Sequence, residues 1–556
     1  MYRRTCRPAA DPRIAGVHYF REPFTPEETQ ILDRFFTNTD LPVFALINLP
    51  EVVKGALFAR YSRTSKSIRR LFLDEFIDDA DTGIAGIAGI ARALGDEDPL
   101  VNMRKAEQLY QRVFFEYGDD SVAQLGGTHL ACEQASNLLT KVLEWGRLAA
   151  YLEQSTRYIY YDVPLGDRYR YQTPPEIASS DLHVDYLTHM DLLFETYGRV
   201  VAGMREMYEK RFPRNPDDPL PVWNATIRAK ACDAARGLLP ASTMSNVGIY
   251  ATGQAYEMAL LRMMASPLAE ARQYGDMMLG ELRKVIPSFL TRVDRPDRGV
   301  VSAEYMESNR NALELLAAGL EGAPEPTDWS VTLTDWDSDA EIDLAAAALY
   351  AATDLPDAEV HRQVRAMSDQ QRADVIAALI GDRTNRRHKP SRAMERVRYR
   401  FDIVCDFAAF RDLQRHRMLT LEWQRLSTRL GFHTPDDVIE AGFESEWSAL
   451  MQQSASFYER VNDELGADVA QYVVPFAANI RFMMEMNARE AFHLIELRSQ
   501  PQGHPTYRRV AHEMHRLIDE QAGHGAIADA MSFVDYSDID LERLEAERRA
   551  AARRSS

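Results

Sequence analysis

Phe410-Arg-Asp-Leu-Gln-Arg-His-Arg-Met-Leu-Thr420 is the stretch from which the rest of this chain can be read. Within it, Arg415-His416-Arg417 sets two guanidiniums around an imidazole, a compact cationic group suited to a pyrophosphate or another polyanionic cofactor. Upstream, Trp145-Gly-Arg-Leu-Ala-Ala-Tyr-Leu-Glu-Gln-Ser-Thr-Arg-Tyr158 reads as a diverged copy of the same element with a different set of polar residues. The copying continues downstream. Arg236-Gly-Leu-Leu-Pro240, Arg262 and Arg272 in the first half answer to Gln471-Tyr-Val-Val-Pro475, Arg498 and Arg508 in the second. The separation from Arg262 to Arg272 equals that from Arg498 to Arg508. Matching order and spacing indicate duplication of about a whole domain.

The 556 residues carry a formal net charge of −19, with hydrophobic residues at 46% and charged residues at 27%. That length suggests roughly two to four domains, each able to bury an ordinary core. An acidic whole argues against a nucleic-acid coat or a binder of anionic membranes, but it permits a locally basic pocket. Cys6, Cys132, Cys232 and Cys405 form no CxxC pair, a pattern of a reducing compartment. No apolar run of ~18 residues is present, and the N-terminus lacks a secretory core. These features predict a cytoplasmic protein. His504, His512 and His515 lack a carboxylate or cysteine constellation of metal-site kind, so no metal site is expected.

Hydrophobic periodicity predicts long helices over 103–117, 121–146, 184–211, 223–238, 252–286, 344–379, 444–465, 474–497 and 507–521. Residues 78–98 are expected to be a loop or small insertion, and 397–404 alternate as a strand. The domain reading is an arm over 1–54, a first repeat over 55–310, an acidic linker and helices over 311–379, a second repeat over 380–540 and a charged tail over 541–556. Met483, Met484 and Met486 are expected in the core.

These motifs resemble the flavin-dependent thymidylate synthase (ThyX) family. Its signature of Arg-His-Arg, then Ser, then Glu-x-Ser-x-Arg-Tyr is followed by Arg-x-x-Leu-Pro, Asn-x-Arg and Leu-Arg. The first half matches at Glu153-Gln-Ser155-Thr-Arg157-Tyr158, Arg236-x-x-Leu-Pro240 and Leu261-Arg262; the second matches at Arg415-His416-Arg417, Asn487-Ala-Arg489, His493 and Leu497-Arg498. The resemblance implies an α+β, predominantly helical fold of two tandem ThyX-like domains with small sheets. It also implies reductive methylation of dUMP to dTMP with FAD, NADPH and methylenetetrahydrofolate. Substrate binding would fall to Glu153, Ser155, Arg157, Arg236 and Arg147, and cofactor binding to Arg415, His416, Arg417, Asn487, Arg489 and His493. Arg262 and Arg498 would be catalytic.

Each half departs from the family where the other conforms. Trp145-Gly146 stands in place of Arg-His, and Gln471 replaces the phosphate-side arginine. Family members are homotetramers with sites between subunits, so a homodimer of this chain would imitate the four-domain assembly, with one half supplying the nucleotide pocket and the other the flavin pocket. The alternatives are a related flavin-dependent (hydroxy)methyltransferase on another pyrimidine nucleotide, and a non-catalytic flavin- or nucleotide-binding paralogue. Without the family pattern, Glu153 with Arg157 and Glu485 with Arg489 would read as helix-surface ion pairs.

Overall fold

The computed structural model describes residues 22–40, scattered positions of 44–77, 124, 126–322 except 158, 165 and 217, then 329–537 and 544. Expectations for 78–98 and 103–117, and for nearly all of the tail, lie outside the described residues. The chain divides into two compact units: residues 1–130, 250–261 and 276–303 form one, and 131–249, 262–275 and 304–556 the other. In the smaller unit, Arg70 donates to Glu22 and Glu28, tying the helix Ile68–Leu71 to the chain ahead of and within the capped helix Pro26–Leu32.

The duplication is visible element by element. The first repeat runs β1 (Gly127–Ser136), α1 (Asn137–Leu143), β2 (Ala149–Glu153), α2 (His183–Arg211), α3 (Leu220–Ala235), β3 (Met244–Thr252), α4 (Gly253–Met264) and α5 (Ala269–Leu282). The helix α6 (Val301–Ala317), β4 (Ser330–Trp336) and three helices within 340–380 intervene. The second repeat runs β5 (Arg398–Asp406), α7 (Phe407–Leu413), β6 (Leu419–Trp423), α8 (Glu444–Leu465), β7 (Asn479–Asn487), α9 (Ala488–Arg498) and α10 (Pro505–Glu520). Strand ends Ser136 and Asp406 lie 270 positions apart, as do Glu153 and Trp423. Both Ser136 and Asp406 cap the helix that follows, accepting from Leu139 N and Ala409 N. The sheets have the orders β1-β3-β2 and β4-β5-β7-β6, so β5-β7-β6 repeats the first.

The larger unit holds the two repeats together through reciprocal bonds. Ala241 N donates to Val474 O, and Phe476 N donates to Leu239 O, each at 2.8 Å. Pro240 and Pro475 face each other across that antiparallel bridge. The same residues bond to the helix starts: Leu138 N to Ala241 O and Ala408 N to Phe476 O, each at 3.1 Å. Such i-to-j and j-to-i contacts are those of an isologous dimer interface, here made within one chain. One core cluster runs through both repeats, from Tyr186 and Leu193 of α2 to Phe401 of β5 and Trp447 of α8. Gly237 is fixed by this closeness: a Cβ there would meet the Trp447 ring at 2.7 Å.

Several sequence expectations are corrected. The helices expected over 121–146 and 474–497 each begin as a strand, β1 and β7. In β7, Ile480, Phe482, Met484 and Met486 are buried while Arg481, Met483 and Glu485 are half-exposed. That is a period of two, so the apolar run was a strand face, not a helix stripe. The segment read as linker contains β4, which pairs antiparallel with β5 through Val331 opposite Ile403. The helix expected over 252–286 is broken between α4 and α5, around Pro267. The expected helix 184–211 and strand 397–404 are present as α2 and β5.

A buried histidine joins the matching helices α2 and α8. His189 Nε2 lies 3.0 Å from Ser454 Oγ. Burial lowers its pKa from the ordinary 6.5 to about 4. As pH falls from 6.5 toward 4, the unfolded chain binds a proton that the folded chain refuses, so stability falls with pH in that window. Thermal unfolding from pH 7 to 4.5 is expected to show a loss of about 1–3 kcal/mol from this group. His189→Phe should flatten the profile by that amount; an unchanged profile would show that His189 does not contribute.

Candidate functional site

Glu153, at the end of β2, anchors the site. Its side chain is fully buried, yet three cations converge on it. Arg411 Nη2 donates to Oε1 at 2.9 Å, Arg415 Nη2 donates to Oε2 at 2.8 Å, and Lys141 Nζ lies 3.6 Å away. Burial opposes ionisation, but the charges of Arg411, Lys141 and Arg415 outweigh it and hold the carboxyl well below the usual carboxylate range. Arg411 and Arg415 come from one turn of the second repeat, so this ion-pair cluster is built by both repeats of one chain.

The cluster extends through two aspartates. Asp412 lies 3.6 Å from Arg236 Nη1 and 3.7 Å from Arg498 Nη1. Burial disfavours its charge, but Arg236, Arg498, Arg415 and Arg157 together hold it ionised far below its ordinary range. Asp233 is gripped bidentately by Arg157, with Nε and Nη2 each donating at 2.6 Å. Arg157 also donates to Tyr507 Oη and Gln502 O. Ser155 Oγ accepts from Arg157 N at 3.2 Å, which shapes the turn after β2. The cations Lys141, Arg157, Arg236, Arg411, Arg415 and Arg498 face the carboxylates Glu144, Glu153, Asp233 and Asp412. Six against four leaves two positive charges, the complement of a phosphate monoester dianion. Arg415, 39% exposed, brings that charge to the surface.

His416 faces away from Glu153. Arg498 Nε donates to its Nε2 at 3.0 Å, so in the neutral ring the proton sits on Nδ1, which donates to Glu490 Oε1 at 2.9 Å. Burial first, then the Arg498 charge, hold the ring neutral. His416, Glu490 and His493 bring three potential metal-ligating atoms within 4.8 Å of one another. Both nitrogens of His416 are already engaged, however, leaving no lone pair for a cation. Asn487 Oδ1 accepts from Glu490 N and caps α9. Arg489 donates to Pro390 O and Glu395 Oε1, each at 3.0 Å.

A separate cleft of about 240 Å³ lies where the two Arg-His-Arg-type turns approach, lined by Gly146, Arg147, Arg262, His416, Arg417 and Thr420. Arg147 donates to Thr420 Oγ1 at 3.4 Å. Among the described residues, no carboxylate lies within ion-pair distance of Arg147 or Arg417. Arg489 and Asn487, expected beside Arg417, are not among the cleft's lining residues.

The structure therefore regroups the expected residues. Glu153, Ser155, Arg157 and Arg236 come together, and Arg415 and Arg498 join them; Arg262 does not. Arg147, Arg262, His416 and Arg417 share the cleft. Sequence reasoning missed Lys141, Asp233, Arg411 and Asp412. Arg411 and Arg415 were discoverable as an i, i+4 pair, and Asp233 stands one turn before Arg236.

The sequence profile of the family described as thymidylate synthase complementing protein matches residues 75–288 and 332–522. The chain belongs to that family. The double match coincides with the two structural repeats, so the ThyX-like fold is duplicated in tandem. The UPF0159 protein of Chlamydia muridarum (strain MoPn / Nigg) is 38% identical over 532 residues, covering 95% of this chain and 99% of that one. The UPF0159 protein of Thermoplasma acidophilum is 28% identical over 519 residues, covering 89% and 97%. A crystal structure of a UMP/dUMP methylase from Streptomyces cacaoi bound with 5-Br UMP aligns at 17% identity and a TM-score of 0.29, over 39% of this chain and 100% of that one. Family membership makes the ThyX-like chain an enzyme of the thymidylate synthase-like, nucleotide-methylating kind. Among the described residues no helix is long and apolar enough to cross a membrane.

Proposed function

We propose that the chain is a flavin-dependent thymidylate synthase, converting dUMP to dTMP with methylenetetrahydrofolate as carbon donor and NADPH as reductant. The observation that carries this reading is the convergence of Glu153, Arg157 and Arg236 from one repeat with Arg415 and Arg498 from the other in a single chain. Two uncompensated positive charges there complement the nucleotide phosphate. Arg415 offers its exposed guanidinium to that phosphate, and Arg157 and Arg236 hold the wall behind it. Arg498, fixed by Asp412 and His416, stabilises charge on a pyrimidine carbonyl as C5 becomes nucleophilic. Arg147 and Arg417 hold the flavin diphosphate in the adjoining cleft; His416, its two nitrogens taken by Arg498 and Glu490, forms part of the wall, and Asn487, Arg489 and His493 shape the α9 end behind it. FAD bound there and reduced by NADPH would supply the hydride that completes the methyl group. Arg262, on the rim of the same cleft, adds positive charge. Two copies of the chain would present the four ThyX-like domains of a family tetramer.

The test is conversion of dUMP to dTMP by the purified protein with FAD, NADPH and methylenetetrahydrofolate. Product is expected, and its absence from folded, flavin-loaded protein refutes the reading. Arg415→Met should abolish dUMP binding while the oxidised-flavin absorbance persists. Arg417→Met should weaken flavin retention instead. If both variants retained both ligands, the assignment of residues to the two ligands would be wrong.

A further inference from the structure

The pseudo-symmetry gives the charged cluster a counterpart on the other side of the repeat axis, and that counterpart has changed in kind. Trp423 occupies the position equivalent to Glu153, Val142 that of Asp412 and Trp145 that of Arg415, each pair 270 positions apart. Gln471 replaces Arg236 at the offset of 235 shared by β3 and β7. Where the cluster is filled by ion pairs, this side is a cavity of about 380 Å³ with Trp145, Trp423, Val142, Leu268 and Phe407 in its walls. The volume is that of a small-molecule pocket.

One arginine survived the change. Arg262, which the shared Leu-Arg pair matches to Arg498 one residue out of the strand offset, lines the cavity. Arg498 is held by Asp412 and His416, but the positions equivalent to those two are Val142 and Gly146. Arg262 Nε is buried with no hydrogen-bond partner, and among the described residues no carboxylate lies within ion-pair distance. Its guanidinium lies 5.6 Å from the Trp145 ring centre, and Trp145 meets Trp423 edge-on at 5.4 Å. The other cations of the wall have partners: Lys141 pairs with Glu144, Arg425 with Asp468 and Glu314, and Arg310 donates to Ala265 O and lies 4.0 Å from Glu307. A buried donor without a partner is costly, and an anion removes that cost.

We propose that this cavity is a second ligand site, which takes a flat aromatic molecule bearing one negative charge. The ring lies against Trp145, Trp423 and the aliphatic wall, where area removed from water and edge-to-face contact favour it. The anion meets Arg262, whose single uncompensated charge selects a monoanion over a phosphate dianion. The cavity shares Trp145 and Arg262 with the cleft assigned to the flavin diphosphate and Lys141 with the charged cluster, but Arg157, Arg236 and Arg415 do not line it, so the dUMP phosphate has its own place.

The probe is 1-naphthoate, titrated into the full-length protein with tryptophan fluorescence and calorimetry as readouts, beside neutral 1-naphthalenemethanol. Saturable binding is expected, with the acid about tenfold or more tighter than the alcohol. Arg262→Met should bring the two to equal affinity. Trp423→Glu and Val142→Phe, each checked for folding by circular dichroism, should remove binding of both, the first by adding a carboxylate and the second by filling the cavity. dUMP should bind equally well with the probe saturating. Absence of saturable binding, equal affinity of acid and alcohol in the unaltered protein, undiminished binding in both cavity variants, or competition with dUMP would each overturn the second site.

Discussion

Glu153→Ala is expected to cost about 3–5 kcal/mol of folding stability, because it leaves the buried Arg411 without its counter-charge. Arg411 and Lys141 are almost fully buried, and Arg415 reaches in from the surface. Once the carboxylate is gone, Arg411 has neither water nor, among the described residues, another carboxylate at ion-pair distance, while Lys141 keeps Glu144 at 3.1 Å. The same change should abolish dUMP binding, since Arg415 loses the partner that fixes its guanidinium. Glu153→Gln keeps the volume and one of the two acceptor oxygens but not the charge, so it should fall between Ala and the native residue. Adding Arg411→Met to Glu153→Ala should return part of the stability by replacing an orphaned charge with an apolar chain of similar length. Urea denaturation of the four proteins decides the matter. A Glu153→Ala variant within about 1 kcal/mol of the native protein would mean that water reaches the cluster and screens it.

The second large effect separates two arginines that the sequence treats alike. Arg498→Met should weaken dUMP binding by about 100-fold or more, the scale of losing a charged, oriented donor set. Arg262→Met should weaken it at least tenfold less, since Arg262 faces the cleft and the aromatic cavity while Arg498 faces Asp412 and Arg236. Isothermal titration of both variants with dUMP is the measurement. A larger loss in Arg262→Met would restore the grouping expected from the motif order. The pH dependence of Arg498→Met adds a readout specific to position: with its donor gone, His416 loses the bond that keeps its proton on Nδ1.

Much of the fold was legible because duplication is written in the chain twice. Prolines at 240 and 475, and arginines at 262 and 498, occur in the same order in both halves, and the structure places each pair on equivalent elements. The strands were less legible. β1 and β7 run directly into α1 and α9, and their apolar residues continue into the helix stripe without a break. A window spanning both sees mostly apolar residues and favours the longer element. In β7 the alternation from Ile480 to Met486 was present but short, and the adjacent helix outweighed it. β4 lay in an acidic, proline-bearing stretch whose only strand signal was Val331-Thr-Leu333, and it became an edge strand because β5 had an open side.

The candidate site divides along the same line. The sequence by itself determined the residue types, the duplication and the complementary losses in the two halves, because each is a matter of identity and spacing. It could not determine which residue of one half meets which of the other. Only the tertiary structure decided that Arg415 neutralises Glu153, that Arg498 rather than Arg262 joins the charged cluster, and that Trp145 meets Trp423 on the opposite side. The physical reason is that these pairs are between about 80 and 280 residues apart in the chain and are brought together by the reciprocal backbone bonds around Pro240 and Pro475. Charges at such separation acquire partners only after the repeats dock, and docking is fixed by a shared apolar core that no motif records.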